Sequence, residues 1–180
     1  MVVERTVISA RVALVIIGAI EAARVPCWVD GGWGVDALLG AQHRPHDDID
    51  LVVPLGEAAT VLAALDPLGF RCHLDERPTR LVTRDARGRQ ADLHTVTFDD
   101  DGTGWQAGAG PGGGPCPYPA DGFTTGTIDG RSVGCLSAEL QLAHHRGYEP
   151  DGIDLADMAR VCARFSLPWP DEYPALDGEG

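Results

Sequence analysis

In Asp48-Ile49-Asp50-Leu51-Val52-Val53 two carboxylates alternate with apolar residues before an apolar run that Pro54 closes. Alternation with a period of two reads as a strand, so Asp48 and Asp50 emerge on one face while Ile49 and Leu51 emerge on the other. Such a strand needs a sheet whose apolar face is covered and whose other face tolerates charge. Just upstream, Cys27 to Asp30 reads as a short strand that runs into Gly31-Gly32. The glycine pair turns the chain into a short helix over Trp33 to Leu39. Glycine lets backbone approach a ligand closely, and the helix start leaves free N–H groups suited to a phosphate.

The remaining pattern predicts a single α+β domain: a mixed sheet with flanking helices and a small C-terminal helical part. The first helix is expected over Thr6 to Arg24, stopped by Val25-Pro26, with Ala10, Leu14, Ile17 and Ile20 at helical spacing. A helix over Glu57 to Leu68 follows the carboxylate strand. Further strands are expected at Phe70 to Leu74, Arg80 to Thr83 and Ala91 to Thr97. Asp129-Gly130 between Phe123–Ile128 and Ser132–Leu136 is a hairpin signal. Ser137 caps a helix to about Arg146, and Asp151 to Phe165 is the last helix. The boundary falls between residues 1–136 and 137–180. The glycine- and proline-rich segment from Asp99 to Gly122 is expected to be a loop, either a functional lid or disordered.

Charge narrows the partners. The formal net charge of -13 disfavours nucleic acid and anionic membrane and favours cationic partners. The chain contains no Lys, which excludes the lysine-dependent phosphate motifs. Its five cysteines are scattered without a C-x-x-C, as expected of reduced thiols in a cytoplasmic protein. The apolar run Val12 to Ile20 is too short to span a bilayer, so no membrane association is expected.

The chemistry resides in the carboxylates. Two aspartates spaced two apart on a strand carry their Cβ atoms roughly 7 Å apart, close enough to share divalent ions. Magnesium suits such a set because it takes few protein oxygens and leaves positions for phosphate and water. Two such ions can clamp the attacking and leaving oxygens of a phosphoryl displacement. Asp92, in the alternating run Gln90-Ala91-Asp92-Leu93-His94, offers a third carboxylate on another strand, sharing its face with His94. It could ligate a metal and take a proton from an attacking hydroxyl. Arg44 either pairs with a triphosphate or is an ordinary loop arginine.

The segments Gly-Gly-Trp-Gly-Val-Asp-Ala-Leu-Leu-Gly (31–40) and His-Asp-Asp-Ile-Asp-Leu (46–51), with the later Asp92, resemble the nucleotidyltransferase superfamily. Their wording is similar to the small antibiotic nucleotidyltransferases that modify aminoglycosides or lincosamides. The resemblance is tight over residues 28 to 53 and looser over 126 to 165. It implies a mixed sheet with helices, ATP or another NTP as donor, two magnesium ions, and transfer of a nucleoside monophosphate to a hydroxyl. It makes Asp48, Asp50 and Asp92 the metal ligands and Asp92 the base, with Gly31, Gly32, Trp33 and Arg44 on the nucleotide.

On the acceptor side, Asp154 and Asp157 lie near one face of the last helix and Tyr148 precedes it. An acidic wall there would attract a polyamine, which makes a cationic, aminoglycoside-like small molecule the expected partner. The bland reading of the same acids is stabilisation of a helix start by the dipole. A lincosamide acceptor is the alternative, and a toxin-type enzyme acting on protein or RNA is a more distant one.

Overall fold

The computed structural model describes residues 7–175. Its centre is a mixed sheet. The strands are β1 (Trp28–Asp30), β2 (Asp48–Pro54), β3 (Arg71–Glu76), β4 (Arg80–Arg84), β5 (Gln90–Phe98), β6 (Gly104–Gln106), β7 (Cys116–Tyr118), β8 (Phe123–Ile128) and β9 (Arg131–Leu136). The main order is β3-β4-β5-β2-β1-β9-β8, and β6 and β7 extend from the end of β5. β2 with β5 and β1 with β9 are parallel pairs, and the others are antiparallel.

One face of the sheet is covered by α1 (Ala10–Ala22) and α3 (Ala58–Leu65). Ile16, Ile17 and Ile20 of α1 and Val61 and Leu65 of α3 pack on Ile49, Leu51, Leu81 and Leu93, all buried. Ser9 caps α1 by accepting from the Val12 N–H. The expected first residue of this helix, Thr6, lies outside the described residues. Because Ile49, Leu51 and Leu93 face these helices, Asp48, Asp50, Asp92 and His94 must face the other way. The inside-outside alternation of two strands thus gives the opposite face its charge.

That opposite face is partly covered by α4 (Ala138–His144) and by β6 and β7, through a second apolar cluster of Val52, Val96, Tyr118, Leu136 and Leu140. A third cluster joins α2 (Gly31–Leu39), α4 and α5 (Gly152–Phe165) through Val35, Leu142, Met158 and Val161. α2 begins at Gly31, two residues earlier than expected, because Asp30 already caps it. It ends at Gly40 in the left-handed conformation. α4 ends at His144, short of the expected Arg146.

The segment from Asp99 to Gly122, expected to be a functional loop or disordered, carries two short strands, β6 and β7, and part of it lines a cavity. Thr97 and Phe98 pair with Trp105 and Gly104, and Gly104 to Gln106 pair with Tyr118 to Cys116. The Tyr118 hydroxyl donates to Gln106 Oε1 at 2.8 Å, and Gln106 Nε2 donates to the Thr79 carbonyl at 3.0 Å. Strands of three residues that contain a proline and a glycine fall below what alternation can reveal.

The seat of α2 depends on Gly126 in β8. A Cβ there would lie 2.4 Å from the Ala37 carbonyl oxygen, a backbone atom that cannot swing away. Gly126→Ala is therefore expected to destabilise the fold by about 1–3 kcal/mol through overpacking. Gly56→Ala, where nothing lies within 4 Å, is the matched control and should be nearly neutral. Thermal melts of the two variants check this; equal melting temperatures would show that α2 is not held by close approach to β8.

Candidate active site

The register of the sheet sets three carboxylates in a row. Asp30 on β1 pairs with Asp50 on β2, and Asp50 pairs with Asp92 on β5. All three are directed to the face away from α1 and α3. Asp30 and Asp92 are buried, and Asp50 is half-buried. Three like charges on neighbouring strands would repel strongly unless something positive sits among them.

His94 supplies part of that charge. Its Nδ1 lies 3.4 Å from Asp30 Oδ2, and its Nε2 lies 3.7 Å from Asp50 Oδ1 and 4.0 Å from Asp92 Oδ1. Burial alone would lower the imidazole pKa, but Asp30, then Asp50 and Asp92, overcome it and hold it up at about 9. Asp30 gains in return: burial would raise its carboxyl, yet His94 and the Gly31 N–H, which donates at 2.7 Å, hold it below the ordinary range. Asp50 fares differently. Burial, aided by the charges of Asp48, Asp30 and Asp92 and only partly offset by His94, pushes it up to about 7. Asp48 is raised as well, first by burial and then by Asp92 and Asp47.

Asp92 is held on one side only. Arg80, which also binds Glu76 at 2.7 Å, donates to Asp92 Oδ2 at 3.0 Å. Asp92 Oδ1 is buried without a hydrogen-bond partner. Ligand atoms of Asp50, Asp92 and His94 lie within 4.8 Å of one another, a spacing that could hold a metal ion. A row of carboxylates with one orphaned oxygen, in which burial and like charges raise Asp50, fits a divalent cation. Asp48 neighbours the trio on the same face but is not part of it.

Gly31 closes the row from above. It takes a φ of +58°, and a Cβ on it would lie 2.2 Å from Asp50 Oδ2. Glycine is needed here both for conformation and for room. Gly32 is equally confined: a Cβ would meet Arg44 and His46 at 2.3 and 2.5 Å.

The other expected site residues divide. Trp33 belongs to the site through its backbone at the helix start, as expected of its N–H; its ring is buried in the main core, 4.6 Å from the His46 ring. Arg44 is already engaged, its Nε donating to Asp157 Oδ2 at 3.0 Å. Asp157 is a correction. It is buried and also accepts from Arg160 at 3.3 Å, so it belongs to an internal ion-pair network and not to an acidic wall. Asp154 closes a capping box with Asp151 and lies 3.8 Å from His145 Nε2. Tyr148 is exposed, and partial burial together with Asp154 pushes its phenol pKa up.

Sequence reasoning missed Asp30 as a member of the row, and it gave no role to Asp36. Asp36 is buried and accepts from His46 Nε2 at 2.5 Å and from the His43 N–H at 3.1 Å, anchoring the loop that carries Arg44. Above the carboxylates opens a cavity of about 500 Å³. Asp30, Asp50 and His94 line its floor. Gln106, Pro111, Cys116 and Tyr118 line it together with His144, His145 and Arg146, and the Tyr118 and His144 rings meet edge to face at 4.5 Å.

Two outcomes follow from these electrostatics. A carboxyl whose folded pKa lies above its unfolded one makes the fold less stable as pH rises between the two. Metal-free protein should therefore lose stability from about pH 4 to about pH 7 through Asp50, and Asp50→Asn should recover on the order of 2 kcal/mol above that window and little below it. Melts across pH check this; a variant no more stable at high pH would contradict the repulsion. Asp157→Asn should lower stability by on the order of 2 kcal/mol by leaving Arg44 and Arg160 underpaired, with acceptor KM little changed. A rise in acceptor KM at unchanged melting temperature would restore the acidic-wall reading.

Comparison with known proteins agrees with this geometry. The family model described as aminoglycoside-2''-adenylyltransferase matches residues 12–161. A lincosamide resistance protein of Staphylococcus haemolyticus is 32% identical over 149 residues, covering 81% of this chain and 91% of that protein. A 2''-aminoglycoside nucleotidyltransferase of Klebsiella pneumoniae is 32% identical over 130 residues, 69% of this chain and 65% of that protein. The crystal structure of the lincosamide antibiotic adenylyltransferase LnuA with lincomycin bound has a TM-score of 0.77 at 29% identity, covering 91% of this chain and 100% of that one. The chain is an antibiotic nucleotidyltransferase and belongs to the aminoglycoside-2''-adenylyltransferase family.

Proposed function

We propose that the protein transfers AMP from ATP, with magnesium, to a hydroxyl of a lincosamide-like antibiotic. The observation that carries the transfer reading is the pairing of Asp50 with Asp92 on adjacent parallel strands, under a glycine backbone that touches Asp50. Asp48, Asp50 and Asp92 are read as the residues that would hold magnesium. When bound, the metal neutralises the triphosphate and polarises its phosphoryl oxygens. The helix start at Gly31 and Gly32 offers backbone N–H groups to the phosphates. Asp92 takes the proton of the acceptor hydroxyl as the hydroxyl oxygen forms a bond to the α-phosphorus. The bond from that phosphorus to the bridging oxygen breaks, and pyrophosphate leaves. Such a reaction belongs in the cytoplasm, where ATP is abundant; among the described residues no helix is long and apolar enough to cross a membrane.

The acceptor preference rests on the cavity walls. Beyond the floor, its lining carries Arg146, two histidines, Tyr118, Cys116 and Pro111, and no further carboxylate. Such walls favour an acceptor with few positive charges over a polyamine. The relative solved with lincomycin bound supports this choice. The aminoglycoside reading keeps one specific support: Asp154 stands beside His145 near the cavity, within a chain of net charge -13.

Incubation with ATP, magnesium and either lincomycin or tobramycin separates the two. The expected result is one AMP mass added to lincomycin and none to tobramycin; the reverse selects the polyamine reading, and no product on either refutes both. Asp92→Asn should lower turnover at least about 100-fold while changing ATP affinity far less, because a base acts only in the transition state. Equal losses in both would remove Asp92 from the role of base.

A further inference from the structure

The transfer scheme leaves His94 without a direct task, although its ring stands among the carboxylates. Nε2 faces Asp50 Oδ1 at 3.7 Å and Asp92 Oδ1 at 4.0 Å, while Nδ1 faces Asp30 Oδ2 at 3.4 Å. Asp30 is itself fixed by the Gly31 N–H at 2.7 Å. A carboxylate behind one ring nitrogen, with the other nitrogen aimed at further ligands, is the arrangement that orients a metal-bound histidine. Entry of a divalent ion would displace the proton that His94 carries in the metal-free site, with the remaining ring proton on Nδ1 toward Asp30 and the Nε2 lone pair toward Asp50 and Asp92. Independently, Asp92 is 6% exposed and its Oδ1, one of the atoms facing Nε2, has no hydrogen-bond partner.

We propose that His94 Nε2 is a direct ligand of the divalent ion held by Asp50 and Asp92, with Asp30 as the residue that positions the ring. The proposal rests on reading those two carboxylates as metal ligands. Its spacing is suitable: ligands around a six-coordinate ion lie roughly 3 Å apart when adjacent and 4.5 Å when opposite, and both Nε2 distances fall between these limits. It also alters the ion the site prefers. Oxygen ligands alone suit magnesium, whereas an added imidazole favours first-row transition metals that accept nitrogen. The site would then take Co²⁺ or Mn²⁺ more readily than Mg²⁺, and would do so before any nucleotide arrives, because all three donors come from strands already in register.

The test is Mn²⁺ added to nucleotide-free protein and read by pulsed EPR. Bound Mn²⁺ should show coupling to a nitrogen nucleus, and labelling the histidines with the heavier nitrogen isotope should change its modulation frequency. The coupling should vanish in His94→Gln and persist in His144→Gln, which alters another histidine of the same cavity. In competition, Co²⁺ should release Mn²⁺ at a concentration at least about tenfold below that needed with Mg²⁺, and His94→Gln should narrow that ratio. No Mn²⁺ binding without nucleotide, bound Mn²⁺ without nitrogen coupling, or coupling that survives His94→Gln would each overturn the proposal, leaving His94 a counter-charge. Should His94→Gln fail to fold, coupling that shifts in isotope-labelled wild type and persists in both His144→Gln and His145→Gln assigns the nitrogen to His94, the remaining histidine of the cavity lining, and coupling lost in either variant overturns the proposal. AMP transfer with Mg²⁺, assayed in parallel, reports separately. Transfer without nitrogen coupling removes the ligand and keeps the reaction, and coupling without transfer does the opposite.

Discussion

The structure turns on a row of like charges that the sheet register imposes. Asp30, Asp50 and Asp92 stand side by side on β1, β2 and β5, each forced to the same face because its neighbours in sequence fill the core under α1 and α3. Such a row is unfavourable in isolation, and it persists because the fold is over-determined elsewhere. The apolar alternation of β2 and β5 cannot slip by one residue without exposing Ile49, Leu51 and Leu93 together. Repulsion among the acids is thus held in place by burial on the reverse face, and it is relieved locally by His94 and Arg80. A site strained in this way is one that gains from a cation, which ties the stability of the metal-free fold to its chemistry.

The row also explains the surrounding backbone. Only glycine at position 31 leaves space for the Asp50 carboxylate, and it takes a left-handed φ at the first position of the helix that Asp30 caps. The loop before β2 is then pinned from two directions. Asp36 takes His43 and His46, while Asp157 on α5 takes Arg44. Both anchors are buried acids with basic partners, so the C-terminal helices are coupled to the glycine turn through charge as well as through apolar packing. The acids of α5 therefore serve the frame: Asp157 holds the loop, and Asp154 caps its own helix.

Much of this was legible in the sequence where the pattern was local. The alternation in Asp48 to Val53 and in Gln90 to Thr97 put each carboxylate on the correct face, and the glycine pair marked the turn. What stayed hidden depended on registers or on long separations. Asp30 joins the row only once β1 is known to run antiparallel to β2 with Asp30 opposite Asp50. Arg44 and Asp157 are 113 residues apart. Read alone, Arg44 fits a phosphate or an ordinary loop, and Asp157 fits a cationic ligand or a helix-start acid; neither segment suggests that they pair with each other. Trp33 divides in the same motif: its backbone stands at the helix start, while its ring obeys the helix period and turns inward.

The segment from Asp99 to Gly122 shows how composition can mislead about order and still point to function. Its glycines adopt turn conformations at 102, 108, 112 and 113, but between them two short strands bind the end of β5. The result is a wall fixed by the buried Gln106–Tyr118 hydrogen bond and continuous with α4, because the Tyr118 ring packs edge to face on His144. A wall anchored to the sheet can vary at its glycine tip without disturbing the metal-facing residues on β2 and β5. The register-bound acids are held by the core, and the cavity-lining residues of β6 and β7 are held by strand pairing to β5, by the hydrogen bonds of Gln106 and by the packing of Tyr118 on Val52, Val96 and Leu140.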